Sequence, residues 1–277
     1  MLEDELYSLF GFHSFKPGQK DIIEQLMAGN DVLAMLPTGR GKSLCYQLPA
    51  LLSEGLTIVV SPLLSLMEDQ VQQLKSQGIK RVATLNSFTN REERKWLMSH
   101  LSKIKLLYTS PEMLQSAELI NQLKSIHISY FIIDEAHCVS YWGHDFRADY
   151  LRLKDVRRDL KMPPCLAITA TASPSVRQDM IDELALKDPF SYIESVNREN
   201  ILLGVEEVNS QAEKISRLVE YIQLYDSPAL VYVQTRAQAE YYSNKLKLKS
   251  TMRVSFIMEE WKTQRECSFS NNLCKVN

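Results

Sequence analysis

The sequence lacks several features that would indicate a particular class of protein. It has five cysteines in 277 residues, and none of them forms a C-x-x-C pair (Cys45, Cys138, Cys165, Cys267 and Cys274). Scattered cysteines in a chain without a signal peptide predict reduced thiols in a cytoplasmic protein, and no zinc site. No apolar run approaches the roughly 18 residues that suggest a membrane span, so no membrane partner is expected.

The chain also lacks an excess of basic charge. Its net charge is −2, so it has no general attraction for nucleic acid, and any binding of DNA must use a local groove. No internal repeat or low-complexity segment stands out. The content of hydrophobic residues, 45%, is enough to build the cores of one large domain or two ordinary ones. Composition therefore predicts a globular protein and leaves its function open.

The stretch 32–43 carries the first chemical signal. An apolar run leads into a glycine-containing turn, Thr38-Gly39-Arg40-Gly41-Lys42-Ser43, and an amphipathic segment follows. Such glycines let backbone N–H groups surround a phosphate at a helix N-terminus. In a phosphate-binding loop Lys42 reaches the β- and γ-phosphates and the Ser43 hydroxyl binds Mg²⁺. Residue 36 is Leu where the strict pattern has its first glycine, so an ordinary turn before a helix is the alternative.

The rest of the first 195 residues alternates short apolar runs with helical patterns. Strands are predicted at 32–36, 56–61, 82–85, 105–109, 130–134 and 165–169, with helices such as 63–77, 91–101 and 174–186 between them. Nearly continuous apolar strands between helices indicate a parallel sheet covered on both faces. Ligands bind at the carboxyl ends of the strands in such sheets, which is where the turn at 38–43 falls.

A polar, irregular stretch at 195–200 predicts a domain boundary. After it a new series begins, with strands predicted at 201–208, 229–233 and 253–256 and helices at 212–224 and 237–247. The sequence therefore predicts a second α/β unit that follows the first.

A second nucleotide motif ends the apolar run at 130–134. Asp134 and Glu135 place two carboxylates at the carboxyl edge of the predicted sheet, beside the phosphate loop. In a phosphate-loop ATPase the first carboxylate holds Mg²⁺ and the second orients or deprotonates the attacking water. A strand that ends in a solvated acidic turn is the alternative, but each of the two motifs supplies the context that the other requires.

Residues 134–147 (DEAHCVSYWGHDFR) resemble motif II and the aromatic-rich loop of the RecQ-family DNA helicases, which belong to helicase superfamily 2. Four other stretches agree: 10–19 resembles the N-terminal motif, 36–49 motif I with Arg40 where a third glycine is usual, 61–70 motif Ia, and 169–172 motif III. The resemblance covers residues 3 to about 256. It implies an α/β fold with a RecA-like parallel sheet at 1–197 and an incomplete second RecA-like domain at 198–256.

The resemblance also implies a role for each matching residue. ATP is bound by Gln19, which reads adenine, and by the loop residues Thr38, Gly39, Arg40, Gly41, Lys42 and Ser43. Mg²⁺ is held by Ser43 and Asp134, and Glu135 and Lys42 are catalytic. His137, Thr169 and Thr171 couple the γ-phosphate to the DNA site. Gln19 as a simple turn residue and His137 as a packing residue are the alternatives.

The segment 141–150 suggests nucleic acid from its residues alone. This short loop brings together stacking rings and a cation: Tyr141, Trp142, His144, Phe146 and Arg147. Base–aromatic stacking contributes about 1–3 kcal/mol per base without sequence preference. A hydrophobic patch against a neighbouring domain is the alternative. The predicted partner is DNA, single-stranded or partly duplex, and a bacterial protein of this kind is expected at the nucleoid.

The last residues depart from the family. After residue 256 a RecQ-like chain continues with a sequence like Tyr-His-Gly-Gly-Met, and a one-nucleotide shift of such a coding run encodes the Ile-Met-Glu-Glu-Trp found at 257–261. We therefore interpret 257–277 as a frameshifted tail, with natural divergence as the alternative that sequencing of the locus decides. On this interpretation the chain lacks motifs V and VI, binds ATP and does not unwind DNA.

Three functions remain open at this stage. The first is an ATP-dependent 3′-to-5′ DNA helicase of repair and recombination, as the resemblance implies. The second is a non-motor remnant that binds nucleotide and associates with DNA. The third is an unrelated phosphate-loop enzyme such as a small-molecule kinase, which has no need for the aromatic loop.

Overall fold

The computed structural model describes residues 2–142, 145–195, 201–225 and 228–249. The chain divides into two compact units, Met1–Arg198 and Glu199–Asn277. His144, the predicted strand at 253–256 and the tail at 257–277 lie outside the described residues. Among the described helices, none has the length and apolar character needed to cross a membrane.

The first unit is a seven-stranded, wholly parallel sheet with helices on both faces, in the strand order β3-β4-β2-β5-β6-β1-β7. Its strands are β1 Val32–Met35, β2 Leu56–Val60, β3 Val82–Leu85, β4 Leu106–Thr109, β5 Ile128–Asp134, β6 Cys165–Thr169 and β7 Phe190–Ile193. Its helices are α1 Leu2–Phe10, α2 Gln19–Met27, α3 Leu44–Leu52, α4 Leu64–Ser76, α5 Arg91–His100, α6 Ala117–Lys124, α7 Leu153–Asp159 and α8 Pro174–Glu183.

The core lies on both faces of this sheet because its central strands are mostly apolar and are buried at every position. In β5, Phe131 and Ile133 belong to the buried cluster on one face, and Tyr130 and Ile132 belong to the cluster on the other. Successive side chains of a strand point to opposite faces, so a continuous apolar strand needs helices on both sides. The structure thus has the layered architecture that the apolar runs predict.

A buried ion pair fastens the amino-terminal edge of the sheet. Asp31, directly before β1, pairs with Arg157 of α7, and both side chains are almost fully buried. Asp31 also accepts hydrogen bonds from the backbone N–H groups of Cys165, at 3.0 Å, and Lys187, at 2.8 Å. Arg157 donates to the carbonyl oxygens of Pro163 and Ala185. The two side chains therefore satisfy each other and tie β1, β6 and α7 together.

The second unit has two helices in its described residues, α9 Gln211–Tyr225 and α10 Arg236–Lys249. Both coincide with predicted helices. The strands predicted at 201–208 and 229–233 are wrong, because these residues have no regular secondary structure and their side chains are mostly exposed. A strand needs a neighbour to satisfy its backbone N–H and C=O groups, and no other strand occurs in the described part of this unit.

Candidate active site

The carboxyl edge of the sheet places the predicted site residues side by side. Strands β5, β6, β1 and β7 are consecutive neighbours, so the loops that follow them meet at one edge. Asp134 ends β5, Thr169 ends β6, and the glycine turn follows β1. The N–H of Leu36 donates to the carbonyl of Thr169 at 3.0 Å, which ties the start of the turn to the end of β6.

The turn at 38–43 has the shape of an anion cradle. Gly39 and Gly41 have φ values of 84° and 76°, in the left-handed region that glycine adopts without a steric cost. The turn leads directly into α3, whose first residue is Leu44, and Thr38, Gly39 and Gly41 are exposed. Exposed backbone N–H groups at a helix N-terminus favour a bound anion through the helix dipole.

Four side chains form a connected cluster beside this turn. Lys42 Nζ lies 4.0 Å from Glu135 Oε1. His137 Nδ1 lies 2.7 Å from Thr169 Oγ1 and 3.3 Å from Glu135 Oε2. Thr169 Oγ1 also donates to Glu135 Oε2 at 3.4 Å. The Glu135 carboxylate therefore stands between a cation from the turn and the hydroxyl and imidazole of its neighbours.

Glu135 has a strained backbone, with φ 48° and ψ 46°. A non-glycine residue in this left-handed region costs about 1–2 kcal/mol, and such strain concentrates at functional sites. Here the turn at Glu135 brings its carboxylate over Lys42 while the next residues begin a short 3-10 helix, Ala136–Val139. The strained conformation is what places the carboxylate at the centre of the cluster.

Asp134 is a buried carboxylate whose negative charge is only partly stabilised by its neighbours. Burial, followed by the charge of Glu135, raises the pKa of Asp134 to about 6. Lys42 and the N–H of Glu135, which donates to Asp134 at 3.0 Å, act in the opposite direction and only partly offset these effects. An additional cation near Asp134 would favour its ionised form. Carboxylate and hydroxyl oxygens are ligands that Mg²⁺ accepts, so the chemistry of Asp134 and Ser43 fits that ion, and their role as its ligands stays a prediction.

Replacement of Asp134 by Asn is expected to stabilise the ligand-free chain. An acid whose pKa is raised on folding makes folding less favourable as the pH rises from about 4 to 6, because the unfolded state ionises first. At pH 7.5 the free energy of unfolding of Asp134→Asn should exceed that of the parent by about 1–3 kcal/mol. This difference in the free energy of unfolding between the two chains should decrease as the pH falls through 6 and disappear below about 4.

Urea unfolding at pH 5 and pH 7.5 measures this effect. The exposed Asp155, which pairs with Arg158 on the surface, provides the control substitution Asp155→Asn, whose effect should stay within about 0.5 kcal/mol. An Asp134→Asn chain that is less stable than the parent at pH 7.5 is incompatible with a raised pKa.

Gln19 and Lys16 hold the turn from the other side. The Gln19 amide donates to the carbonyls of Arg40 and Gly41, both at 3.0 Å, and accepts from the N–H of Lys16 at 2.8 Å. Lys16 Nζ donates to the carbonyl of Gly39 at 2.8 Å. In this structure the Gln19 carboxamide fastens the phosphate loop, and its role in reading adenine remains a prediction.

The sequence did not predict two contacts of the glycine turn, one made by Lys16 and one made by Arg40. Lys16 lies three residues before Gln19 in the N-terminal motif, a proximity that could have drawn attention to it. Arg40 forms an ion pair with Glu194, which directly follows β7. Strand β7 is at the edge of the sheet and only alternately exposed, so its short pattern was not recognised and Glu194 could not be placed beside the loop.

The aromatic-rich segment begins directly after the Ala136–Val139 helix. Tyr141 and Trp142 are exposed, and the rings of Tyr141 and Phe146 stack with centroids 3.9 Å apart. Arg147 donates to the carbonyl of Pro62 at 3.2 Å, which ties the segment to the loop after β2. Among the predicted DNA residues that the structure describes, Trp142 therefore presents the most open ring, at 81% exposure.

Two further features lie near this cluster in the described part of the chain: Thr171, and a group of side chains spaced closely enough to bind a metal ion. The N–H of Thr171 donates to Thr169 Oγ1 at 3.4 Å. One ligand atom each from His137, Cys138 and Asp145 lie within 4.8 Å of one another. Burial raises the pKa of the Cys138 thiol to about 12, which opposes the thiolate that a soft metal requires. The expected absence of zinc stays a prediction.

Comparison with known proteins identifies the family to which this chain belongs. The chain belongs to the DEAD/DEAH box helicase family, whose model matches residues 16–180. Its homologues are RecQ-family ATP-dependent DNA helicases. The probable ATP-dependent DNA helicase RecS of Bacillus subtilis (strain 168) is 51% identical over 255 residues, which are 92% of this chain and 51% of RecS. The ATP-dependent DNA helicase RecQ of Pasteurella multocida (strain Pm70) is 38% identical over 265 residues, 95% of this chain and 42% of RecQ.

The chain spans about half the length of these relatives or less. Among solved structures, the crystal structure of the DUF1998 helicase MrfA matches with a TM-score of 0.69 at 19% identity, over 89% of this chain and 40% of MrfA. At this identity the likeness shows the fold alone. It confirms the predicted α/β class with a RecA-like parallel sheet.

Proposed function

We propose that this chain binds Mg-ATP and couples its hydrolysis to single-stranded DNA, as the ATP-binding part of a RecQ-like helicase. The observation that carries the proposal is the contact cluster of Lys42, Glu135, His137 and Thr169 beside an anion cradle. A small-molecule kinase would have no use for the exposed rings of Tyr141 and Trp142 that follow directly after this cluster.

In this proposal the phosphate loop binds and orients the nucleotide. The backbone N–H groups of the turn and the Lys42 ammonium surround the phosphates, and charge-assisted contacts of this kind are about twice as strong as neutral ones. Ser43 and the ionised Asp134 hold Mg²⁺, which when bound offsets the phosphate charge. Because Asp134 has a pKa of about 6, the site is ready to receive the ion at neutral pH and loses this ligand in acid.

Glu135 is the group that we assign to hydrolysis. Its carboxylate orients the attacking water and accepts the proton, and Lys42 stabilises charge on the transferring phosphoryl group. The contact between Thr169 and Glu135 holds the carboxylate in place. His137 and Thr169 both contact the carboxylate, and the carbonyl of His137 accepts the N–H of Ser140, directly before the aromatic segment. We therefore assign coupling to His137, Thr169 and Thr171.

The DNA side of the proposal rests on exposed rings. Trp142 stacks on bases, Phe146 supports the stacked Tyr141, and Arg147 contributes a cation near the carbonyl of Pro62. Stacking does not depend on base sequence, so the chain binds single strands without strong preference. We further propose 3′-to-5′ movement of the intact motor, as in the RecQ resemblance.

Loss of the rings at 142 and 146 is expected to weaken DNA binding selectively. Trp142→Ala with Phe146→Ala should lower the affinity for a single-stranded oligonucleotide by about 5- to 150-fold, since a stacked base contributes about 1–3 kcal/mol. The affinity for ATP should stay within about twofold, because neither ring belongs to the phosphate loop or its contact cluster. Fluorescence anisotropy of a labelled oligonucleotide and calorimetry with ATP measure the two affinities.

Trp96→Ala is the matched control for this experiment. Trp96 is also exposed, but it lies on α5, where its ring stacks on His100. Its replacement should leave DNA binding unchanged. If the double variant lost ATP affinity in parallel with DNA affinity, the rings would have a packing role and the DNA assignment would be wrong.

A second candidate is a nucleotide-binding, DNA-associating protein that is not a motor. The observation in its favour is the second unit, whose described residues form two helices and no strand. A motor of this class needs a second lobe that closes on ATP and supplies charge to the phosphoryl group, a contribution of about 10³–10⁵ in rate. A strand-separation assay on the 277-residue chain distinguishes the two functions, since only a motor separates the strands.

A further inference from the structure

A buried serine connects the aromatic segment to helix α8. Ser140 is 1% exposed, and its hydroxyl donates to Asp179 Oδ2 and accepts the N–H of Trp142 at 3.1 Å. A serine hydroxyl has one hydrogen, so donation to the carboxylate turns a lone pair toward Trp142. The backbone at Trp142 is therefore held, while the indole itself remains open to solvent.

Helix α8 is firmly placed with respect to the proposed ATP site. It begins at Pro174, three residues after Thr171, and the Ser173 side chain caps it by accepting the N–H of Val176 at 3.3 Å. Val176 and Met180 are buried in the same core cluster as Ala136 and Cys138. Asp179 thus stands on a helix that follows Thr171 closely in the chain and packs against the 3-10 helix that carries His137.

We infer that Asp179, acting through Ser140, is a positioning residue that holds Trp142 for stacking on single-stranded DNA. This inference rests on the proposed function and extends it to two residues outside the nucleotide and DNA contacts. A carboxylate close to a DNA-binding surface repels phosphates, which is unfavourable unless it serves another purpose. Here Asp179 is half-buried and directed at Ser140, where it orients the hydroxyl that Trp142 requires.

The first test measures DNA affinity. Asp179→Ala should lower the affinity for a labelled single-stranded oligonucleotide by about tenfold, which corresponds to one hydrogen bond to a charged group. Asp179→Asn keeps a carbonyl oxygen for the Ser140 hydroxyl and should retain most of the affinity. Asp182→Ala is the matched control, because Asp182 is exposed on the same helix and its carboxylate, among the described contacts, accepts only from the Gln178 side chain. ATP affinity should be unchanged in all three.

The second test observes Trp142 without DNA. The chain has three tryptophans, so Trp96→Phe with Trp261→Phe leaves Trp142 as the only one. In this background Asp179→Ala and Ser140→Ala should each lower the fluorescence anisotropy of Trp142, whereas Ser140→Thr, which keeps a hydroxyl, should not. This readout is independent of DNA, so it judges the inference even if the parent fails to bind DNA and the proposed function is wrong.

Two experimental results would overturn the inference. One is an Asp179→Ala chain that retains its ATP affinity and binds DNA as tightly as Asp182→Ala. The other is an unchanged Trp142 anisotropy in both Asp179→Ala and Ser140→Ala. If Asp179→Ala fails to fold, as judged by loss of ATP affinity, Ser140→Ala is put through the same DNA and anisotropy comparisons in its place.

Discussion

Replacement of Lys42 by alanine is expected to reduce the affinity of the chain for ATP by about 10- to 150-fold, the equivalent of 1.5–3 kcal/mol for hydrogen bonds to a charged group. Lys42 is the cation of the proposed phosphate loop, and its ammonium lies 4.0 Å from Glu135 Oε1. Its loss removes the positive charge that faces the phosphates and leaves the Glu135 and Asp134 carboxylates to repel them. Calorimetric titration of ATP in the presence of Mg²⁺ measures the effect.

The control for this titration is another lysine whose charge has no part in the site. Lys124 forms a surface ion pair with Asp159, and exposed pairs of this kind contribute little. Lys124→Ala should bind ATP like the parent. An unchanged affinity in Lys42→Ala would show that the turn at 38–43 is not a phosphate-binding loop.

The second large effect concerns stability. Arg157→Met should lower the free energy of unfolding by about 3–5 kcal/mol, because it leaves Asp31 buried without its counter-ion. The substitution also removes the donors to the carbonyls of Pro163 and Ala185. Urea unfolding monitored by circular dichroism gives the free energy of both chains.

The neighbouring arginine is a nearly ideal control. Arg158 is exposed and pairs with Asp155 three residues earlier on the same helix, so Arg158→Met should change stability by less than about 0.5 kcal/mol. If Arg157→Met lowered the free energy of unfolding no more than Arg158→Met does, the buried pair would not fasten the amino-terminal edge of the sheet.

Much of the first unit could be predicted because its central strands are short runs of mostly apolar residues. The strand predicted at 130–134 was found as Ile128–Asp134, and the one at 165–169 was found with the same limits. Strand β7 was not predicted because it is a four-residue edge strand, half-buried at alternate positions and exposed at the others. The strands predicted at 201–208 and 229–233 failed for a different reason, since apolar runs form strands only where a neighbour can pair with them.

The site could be predicted where one motif contains the chemistry. The glycine turn and the Asp134-Glu135 pair each carry a local pattern, and the parallel sheet brings them to the same edge. Contacts between residues far apart in sequence could not be predicted, as for Arg40 with Glu194 and for Ser140 with Asp179. Such pairs have no spacing that a sequence pattern can reveal, and they become visible only when the strands are placed in order.

The most direct test of the account is the rate of ATP hydrolysis by the chain with and without single-stranded DNA, in Mg²⁺ buffer at neutral pH. The cluster of Lys42, Glu135 and His137 joins the glycine turn to the segment that presents Trp142, because the carbonyl of His137 accepts the N–H of Ser140. The account therefore predicts slow turnover that rises when DNA is added. Lys42→Ala should abolish both the basal rate and its increase. A rate that is the same with and without DNA would contradict the coupling of the two sites.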